Sequence, residues 1–170
     1  MFDDPEHDAL WDRFEARFEF KPSIAMFPGI TEPPASVTWR LAAIDGTNDT
    51  IVDELQLIVE RGLRACAGPG ELLYWLDWNH AGARFDPHRV GRPGQPRWPG
   101  GVYPDGDYYL YLTGDLRLGT FGHLWEDSLC VFGEELLAVV DDDLTSLLGT
   151  VLRRDGRNVG NVWTFGSPDA

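Results

Sequence analysis

His123 and Glu126 stand three residues apart in GHLWEDS, and His80 and His88 lie upstream, so four side chains of metal-ligand type are present. Imidazole nitrogens and carboxylate oxygens are ordinary ligands of divalent ions. Their spacing gives that chemistry little support. The chain has no HExxH run, the pattern that sets two imidazoles on one helix face, and residues 122–125 read as a turn between two strands. A histidine in such a turn serves by hydrogen-bonding the backbone. The expectation is no metal and no cofactor, with His123, Trp125 and Glu126 fixing a corner of the fold.

Other reactive pairings fare no better. A nucleophilic Cys130 would need His123 as its base, but it sits mid-strand between Leu129 and Val131, where a thiol is packed and inert. The carboxylate pairs Asp105 with Asp107 and Asp77 with Asp86 suit acid–base work. In a chain with 28 acidic residues such proximity is expected by chance. There is no GxSxG, Walker A loop or GxGxxG-opened helix, so nucleotide binding and hydrolase chemistry lack their usual carriers. The sequence leans away from an enzyme and assigns no catalytic residue.

Residues 86–106 hold five prolines and five glycines and continue neither helix nor strand. Loops beyond about 12 to 15 residues in a compact domain tend to be functional or disordered. This one carries Arg89, Arg92 and Arg97, a positive island, and Trp98, which is either a lid tucked over a sheet or an exposed anchor. With His80, His88, His123, Trp125 and Glu126 they make up the candidate binding residues.

The elements that must position these groups follow from periodicity. Leu10, Trp11, Phe14 and Phe18 recur at helical spacing behind Asp4-Pro5, a cap and first-turn signal. Residues 28–36 form a Pro-rich connector, and Val37, Trp39 and Leu41 alternate as a half-buried strand. A turn at Asp45-Gly46 precedes the clearest helix, residues 48–66, with acids at its start and Arg61, Arg64 and Gly68 at its end. Residues 71–78 read as a central strand. Residues 107–113 and 116–122 read as a hairpin turning on Gly114-Asp115, with Tyr108 opposite Phe121 and Tyr111 opposite Leu118. Residues 128–132 form a third strand, a short helix or turn starts at Gly133, and residues 144–154 form a last helix. Residues 158–165 are an edge strand or a tail. The fold class is α+β, a mainly antiparallel sheet packed with about three helices, in one domain over residues 1–170.

Fourteen Lys and Arg against 28 acids leave a charge of −14. That field repels nucleic acid and anionic membranes and favours encounter with a basic protein. The N-terminus has acids where a signal peptide needs positive charge, and no run approaches the about 20 apolar residues of a membrane span. Two cysteines are too few for a disulfide framework, and the expected compartment is the cytoplasm. Oligomeric state has no sequence signature here.

The segments WDRFEARFEFKPS, PSIAMFPGITEPPASVTW and YPDGDYYLYLTGDLRLGTFGHLWEDSLCVFGEELL resemble a bacterial family known only as a domain of unknown function, DUF2716. The resemblance spans nearly the whole chain and implies one intact domain without an activity to transfer. By analogy with small bacterial proteins that pair with toxins, it suggests an immunity-type module that neutralises a basic toxin. The alternative is a small-molecule-binding protein or enzyme, with a pocket under residues 86–106 that gathers His80, His88, Arg89, His123 and Glu126.

Overall fold

A computed structural model of the chain describes residues 4–42, 44 and 49–159. The expected turn at Asp45-Gly46, the helix start at Asn48 and residues 160–165 lie outside them. Among the described residues three helices, α1 (Asp4–Phe18), α2 (Asp49–Cys66) and α3 (Glu134–Leu148), accompany eight strands: β1 (Ser36–Arg40), β2 (Leu73–Asp77), β3 (Ala83–Phe85), β4 (Tyr109–Thr113), β5 (Gly119–His123), β6 (Ser128–Phe132), β7 (Val151–Arg154) and β8 (Arg157–Asn158). The strands form one sheet in the order β3-β2-β4-β5-β6-β1-β7-β8. Every neighbouring pair is antiparallel, so the α+β reading holds.

The sheet is covered on both faces, as the alternation of its strands requires. On one face Val37, Trp39, Leu73, Tyr111, Leu129 and Val131 pack with α2, α3 and the 86–106 loop. On the other, Leu76, Leu110, Leu112, Phe121, Cys130 and Phe132 pack with Leu10, Trp11, Phe14 and Phe18 of α1, the apolar stripe read from its spacing. Strand β1 is buried on both faces rather than half-buried, since Ser36 and Thr38 are also inaccessible. Helices α2 and α3 meet closely at Gly62, where a methyl group would collide with Val140.

Four local expectations are corrected. Strand β2 is next to the edge, because β3 pairs outside it. The β4–β5 hairpin is offset by two residues: Leu110 faces Phe121, Tyr111 faces Thr120 and Leu112 faces Gly119. Its turn is longer than two residues, since Thr113 N–H donates to the Leu118 carbonyl across it, and its positive φ of 60° falls on Leu116, not on Gly114. A two-residue offset keeps every side chain on its face. The last helix starts at Glu134, not at residue 144, and buries Leu136, Val140, Leu144 and Leu148 at i+4 spacing. Gly149, at φ 82°, ends it, with its N–H donating to the Thr145 carbonyl. Arg153 and Arg154, expected at the end of a helix, lie instead on β7, which turns into β8 through Asp155-Gly156, both at positive φ. An Asp-Gly pair with that geometry suits a two-residue hairpin turn.

Arg153 is the electrostatic centre of the structure. Its Nε donates to Glu32 at 2.7 Å, and Nη1 and Nη2 donate to Glu126 at 2.9 and 2.6 Å. Thr38 Oγ1 donates to Glu32 at 2.5 Å and Ser128 Oγ to Glu126 at 2.6 Å. These three charged side chains are about nine-tenths inaccessible. One guanidinium thus serves two buried carboxylates, joining the connector before β1, the β5–β6 turn and β7. Removing one partner of a buried ionic group strands the other. We expect Arg153→Met to lower the unfolding free energy by about 3–5 kcal/mol. Arg154→Met, which breaks the more exposed pair with Asp141, should cost less than about 1 kcal/mol. Urea denaturation of the two variants checks this, and equal losses would contradict it.

Candidate functional site

The corner that carries His123, Trp125 and Glu126 is built by the β5–β6 hairpin, in which His123 pairs with Ser128. The backbone N–H of Glu126 donates to His123 Nδ1 at 3.1 Å, so His123 does hold the turn. With Nδ1 accepting, the neutral ring carries its proton on Nε2. That nitrogen is buried and has no hydrogen-bond partner among the described residues. Rings surround it: Tyr108 at 4.9 Å, Phe27 at 5.0 Å, Phe121 at 6.0 Å and Trp125 at 6.4 Å between centroids. Burial pushes the His123 pKa down to about 4, with the Arg153 charge adding to the shift and Glu126 opposing it. Burial acts against ionised Glu126, but hydrogen bonds from Arg153 and Ser128 hold its carboxyl below the usual range. A neutral, enclosed imidazole is a packing group.

The same rings support a surface that sequence reasoning missed. After α1 the chain forms a loop whose Ile24, Met26 and Phe27 are 70, 77 and 44% exposed. Trp125, 42% exposed, packs on Tyr108 beside it. The loop is fixed at several points. Ser23 N–H donates to Tyr108 Oη at 3.0 Å, Ser23 Oγ accepts from the Ala25 and Met26 N–H groups, and Lys21 N–H donates to the Gly29 carbonyl. A shallow depression of about 390 Å³ runs along it, lined by Lys21, Pro22, Met26, Phe27 and Gly29 among others. Nothing in the spacing of SIAMFPG announces this exposure, because the apolar letters alone fit a core segment equally well.

The other candidate residues are not collected with His123. Trp98 is tucked against the sheet, 8% exposed, with its ring 5.1 Å from Phe85, 5.7 Å from Tyr111 and 5.6 Å from the Arg64 guanidinium. The 86–106 loop lies down on α2: Arg64 donates to the Pro87 and Val90 carbonyls, Gln56 Nε2 donates to Gly100, and Val102 N–H donates to Gln56. Trp75 Nε1 and Tyr111 Oη donate to the carbonyls of Gly101 and Gly100. His88 Nε2 bonds the Ala67 carbonyl at the end of α2, across the sheet from His123. Arg89, Arg92 and Arg97 are exposed on the loop. The depression there, about 380 Å³, is lined by Gln56, Glu60, Arg97 and Trp98 among others, and by none of His80, His88, His123 or Glu126. The expected gathering of those residues under the loop is therefore absent.

Cys130 is buried mid-strand in β6, and burial raises its thiol pKa, which disfavours the thiolate that a pairing with His123 would need. Asp105 accepts from Tyr109 Oη, whereas Asp107 accepts from Asn79 Nδ2 and Tyr108 N–H. His80, 68% exposed, lies between Asp77 at 3.0 Å and Asp107 at 3.9 Å. This group was hidden in the sequence because the β2–β4 register, not proximity along the chain, creates it. Among the described residues no helix is long and apolar enough to cross a membrane.

The chain belongs to the family described as "Protein of unknown function (DUF2716)", which matches residues 1–137 and so ends inside α3, before β7. It is 29% identical over 144 residues to "Uncharacterized protein YxiI" of Bacillus subtilis (strain 168), a match covering 81% of this chain and 89% of that protein. No solved structure matches it.

The buried histidine sets a pH response. Its folded pKa of about 4 lies below the ordinary 6.5, so as pH falls the unfolded chain takes up the proton first. Stability then declines between pH 6.5 and 4, by up to about 1.4 kcal/mol per pH unit, and the loss is complete below 4. Glu126 acts in the same direction further down: its contribution is full above 4.5 and is lost as pH falls through its lower folded value. His123→Phe removes the first slope. Urea unfolding at pH 7.5, 6 and 5 should therefore show the wild type losing its advantage over this variant as pH falls. A gap constant with pH would mean that His123 titrates in the fold as it does in the unfolded chain, and a gap that widens as pH falls would mean that the fold raises its pKa.

Proposed function

We propose that this member of the family is a protein-interaction module, of the immunity type that neutralises a basic partner such as a toxin. The observation that carries this reading is the exposure of Ile24, Met26 and Phe27 on one loop, with the exposed Trp125 linked to it through the Tyr108 and His123 rings, on a chain of charge −14. Exposed apolar groups collected at one place, on an otherwise charged surface, mark contact sites more often than single ones do. The loop is already held by Tyr108 and Ser23, so docking need not spend free energy on ordering it.

Charge selects the occupant. A second copy would bring the same fourteen excess negative charges, whereas a cationic protein would be drawn in by them. The apolar tip then supplies the desolvated centre of the contact, and the net negative charge of the chain supplies the encounter rate. In this reading His123, Trp125 and Glu126 support the surface from beneath or at its edge. Arg89, Arg92, Arg97 and Trp98, together with His88, belong to the packed loop on the far side.

The test is co-expression with the products of adjacent genes, comparing the wild type with Met26→Glu combined with Phe27→Glu. A basic partner should co-purify with the wild type and bind the variant at least tenfold more weakly, about 1.4 kcal/mol or more. The association rate should also fall as salt is raised. Both positions are exposed, so the melting temperature should stay close to that of the wild type. A partner that binds the variant equally well, or an association rate indifferent to salt, would overturn the assignment.

A further inference from the structure

Register places Asp77, at the end of β2, opposite Tyr109 of β4. The pairing runs past the strand ends, because Trp78 N–H donates to the Tyr108 carbonyl, and so Asp107 arrives beside the β2–β3 turn. That turn folds back with His80 N–H donating to the Asp77 carbonyl, which aims His80 Nδ1 between the two carboxylates. One donor atom from each of Asp77, His80 and Asp107 lies within 4.8 Å of the others. Ligands at about 2.0–2.2 Å from a divalent ion sit about 3–3.5 Å from one another. Small rotations of three side chains, one of them exposed, would close the set.

A second observation concerns charge. The Asp107 side chain is only 9% exposed and that of Asp77 13%. Among the described residues no Lys or Arg lies within ion-pair distance of either, and their one cationic neighbour is His80, if it is protonated. The other deeply buried carboxylates, Glu32 and Glu126, share the permanent charge of Arg153. Burying carboxylates without a fixed cation is costly. Asn79 Nδ2 and Tyr108 N–H satisfy Asp107 by hydrogen bonding but bring no charge. A cation between the two carboxylates would remove the deficit.

We propose that Asp77, His80 and Asp107 form a binding site for a divalent transition-metal ion of the Zn²⁺ type. One imidazole and two carboxylates suit a borderline ion better than Ca²⁺ or Mg²⁺, which take oxygen ligands. Three protein ligands leave at least one coordination position to water or to a group from outside, and the exposure of His80 puts that position at the surface. The site is separate from the apolar contact surface and stands or falls independently of it.

The experiment titrates the purified full chain with Zn²⁺, followed by calorimetry, and with Co²⁺, followed by visible absorption, alongside His80→Gln and Asp77→Asn. One equivalent should bind the wild type, and Co²⁺ should give d–d bands. Each variant should weaken binding at least tenfold, the scale on which ligand-shell changes act. His80 is exposed, so His80→Gln should keep the wild-type far-UV spectrum and melting curve without metal, which separates loss of a ligand from loss of the fold. No saturable binding up to about 1 mM Zn²⁺, or binding that both variants leave unchanged, would overturn the site.

Discussion

A single guanidinium holding two enclosed carboxylates organises the structure around Arg153. Glu32 comes from the Pro-rich connector that follows α1, Glu126 from the β5–β6 turn, and Arg153 from the penultimate strand. Thr38 and Ser128, on adjacent strands, complete the acceptors' coordination. The network thereby fixes where the connector leaves the sheet and how the β5–β6 corner is turned. That corner positions His123 under Phe27 and Trp125 beside Tyr108. The geometry of the exposed apolar surface therefore descends from a polar contact buried behind it. Such networks are sensitive to single changes because each member is satisfied only through the others.

Much of the fold was legible. Leu10, Trp11, Phe14 and Phe18 spelled out the buried stripe of α1, and α2 had apolar period, acidic start and basic end in agreement. Strand β6 was found with its bounds intact. What failed had physical causes. Asp141 to Asp143, just ahead of the expected start at residue 144, suit the acidic first turn of a helix, yet they lie on the later turns of α3, where Arg154 reaches Asp141 and Arg61 reaches Asp143. That mistaken start hid β7 and the Asp155-Gly156 turn, although the dipeptide itself was a usable hairpin signal. The β4–β5 turn was misplaced because Gly114-Asp115 suggested the tightest loop. The chain instead spends the left-handed residue on Leu116, whose side chain is buried with the α1 layer.

The candidate residues were legible as types and not as a set. His123 was legible as a turn-holder because Gly122-His123-Leu124-Trp125 reads as a turn between two strands; the Glu126 N–H does donate to it, although His123 ends β5 and the turn itself spans residues 124–127. Trp98 could be narrowed only to two placements, and packing on Phe85 and Tyr111 decides for the inward one. The exposed Ile24, Met26 and Phe27 were invisible, since hydrophobic letters in a short irregular segment carry no period to show which side faces water. Asp77 and Asp107 were out of reach for a different reason. Thirty residues separate them along the chain, and only the alignment of β2 with β4 makes them neighbours.

The strand order has a further consequence at its two ends. Among the described residues the outermost strands are β3, three residues long, and β8, two residues long. Long, flat outer strands offer unpaired amide groups to other chains and seed edge-to-edge aggregation. Here each margin is too short to template a neighbour, and Arg84 in the middle of β3 carries a charge partnered by Glu6 of α1. An eight-stranded sheet with wide, apolar inner strands is in this way kept from growing beyond its own molecule.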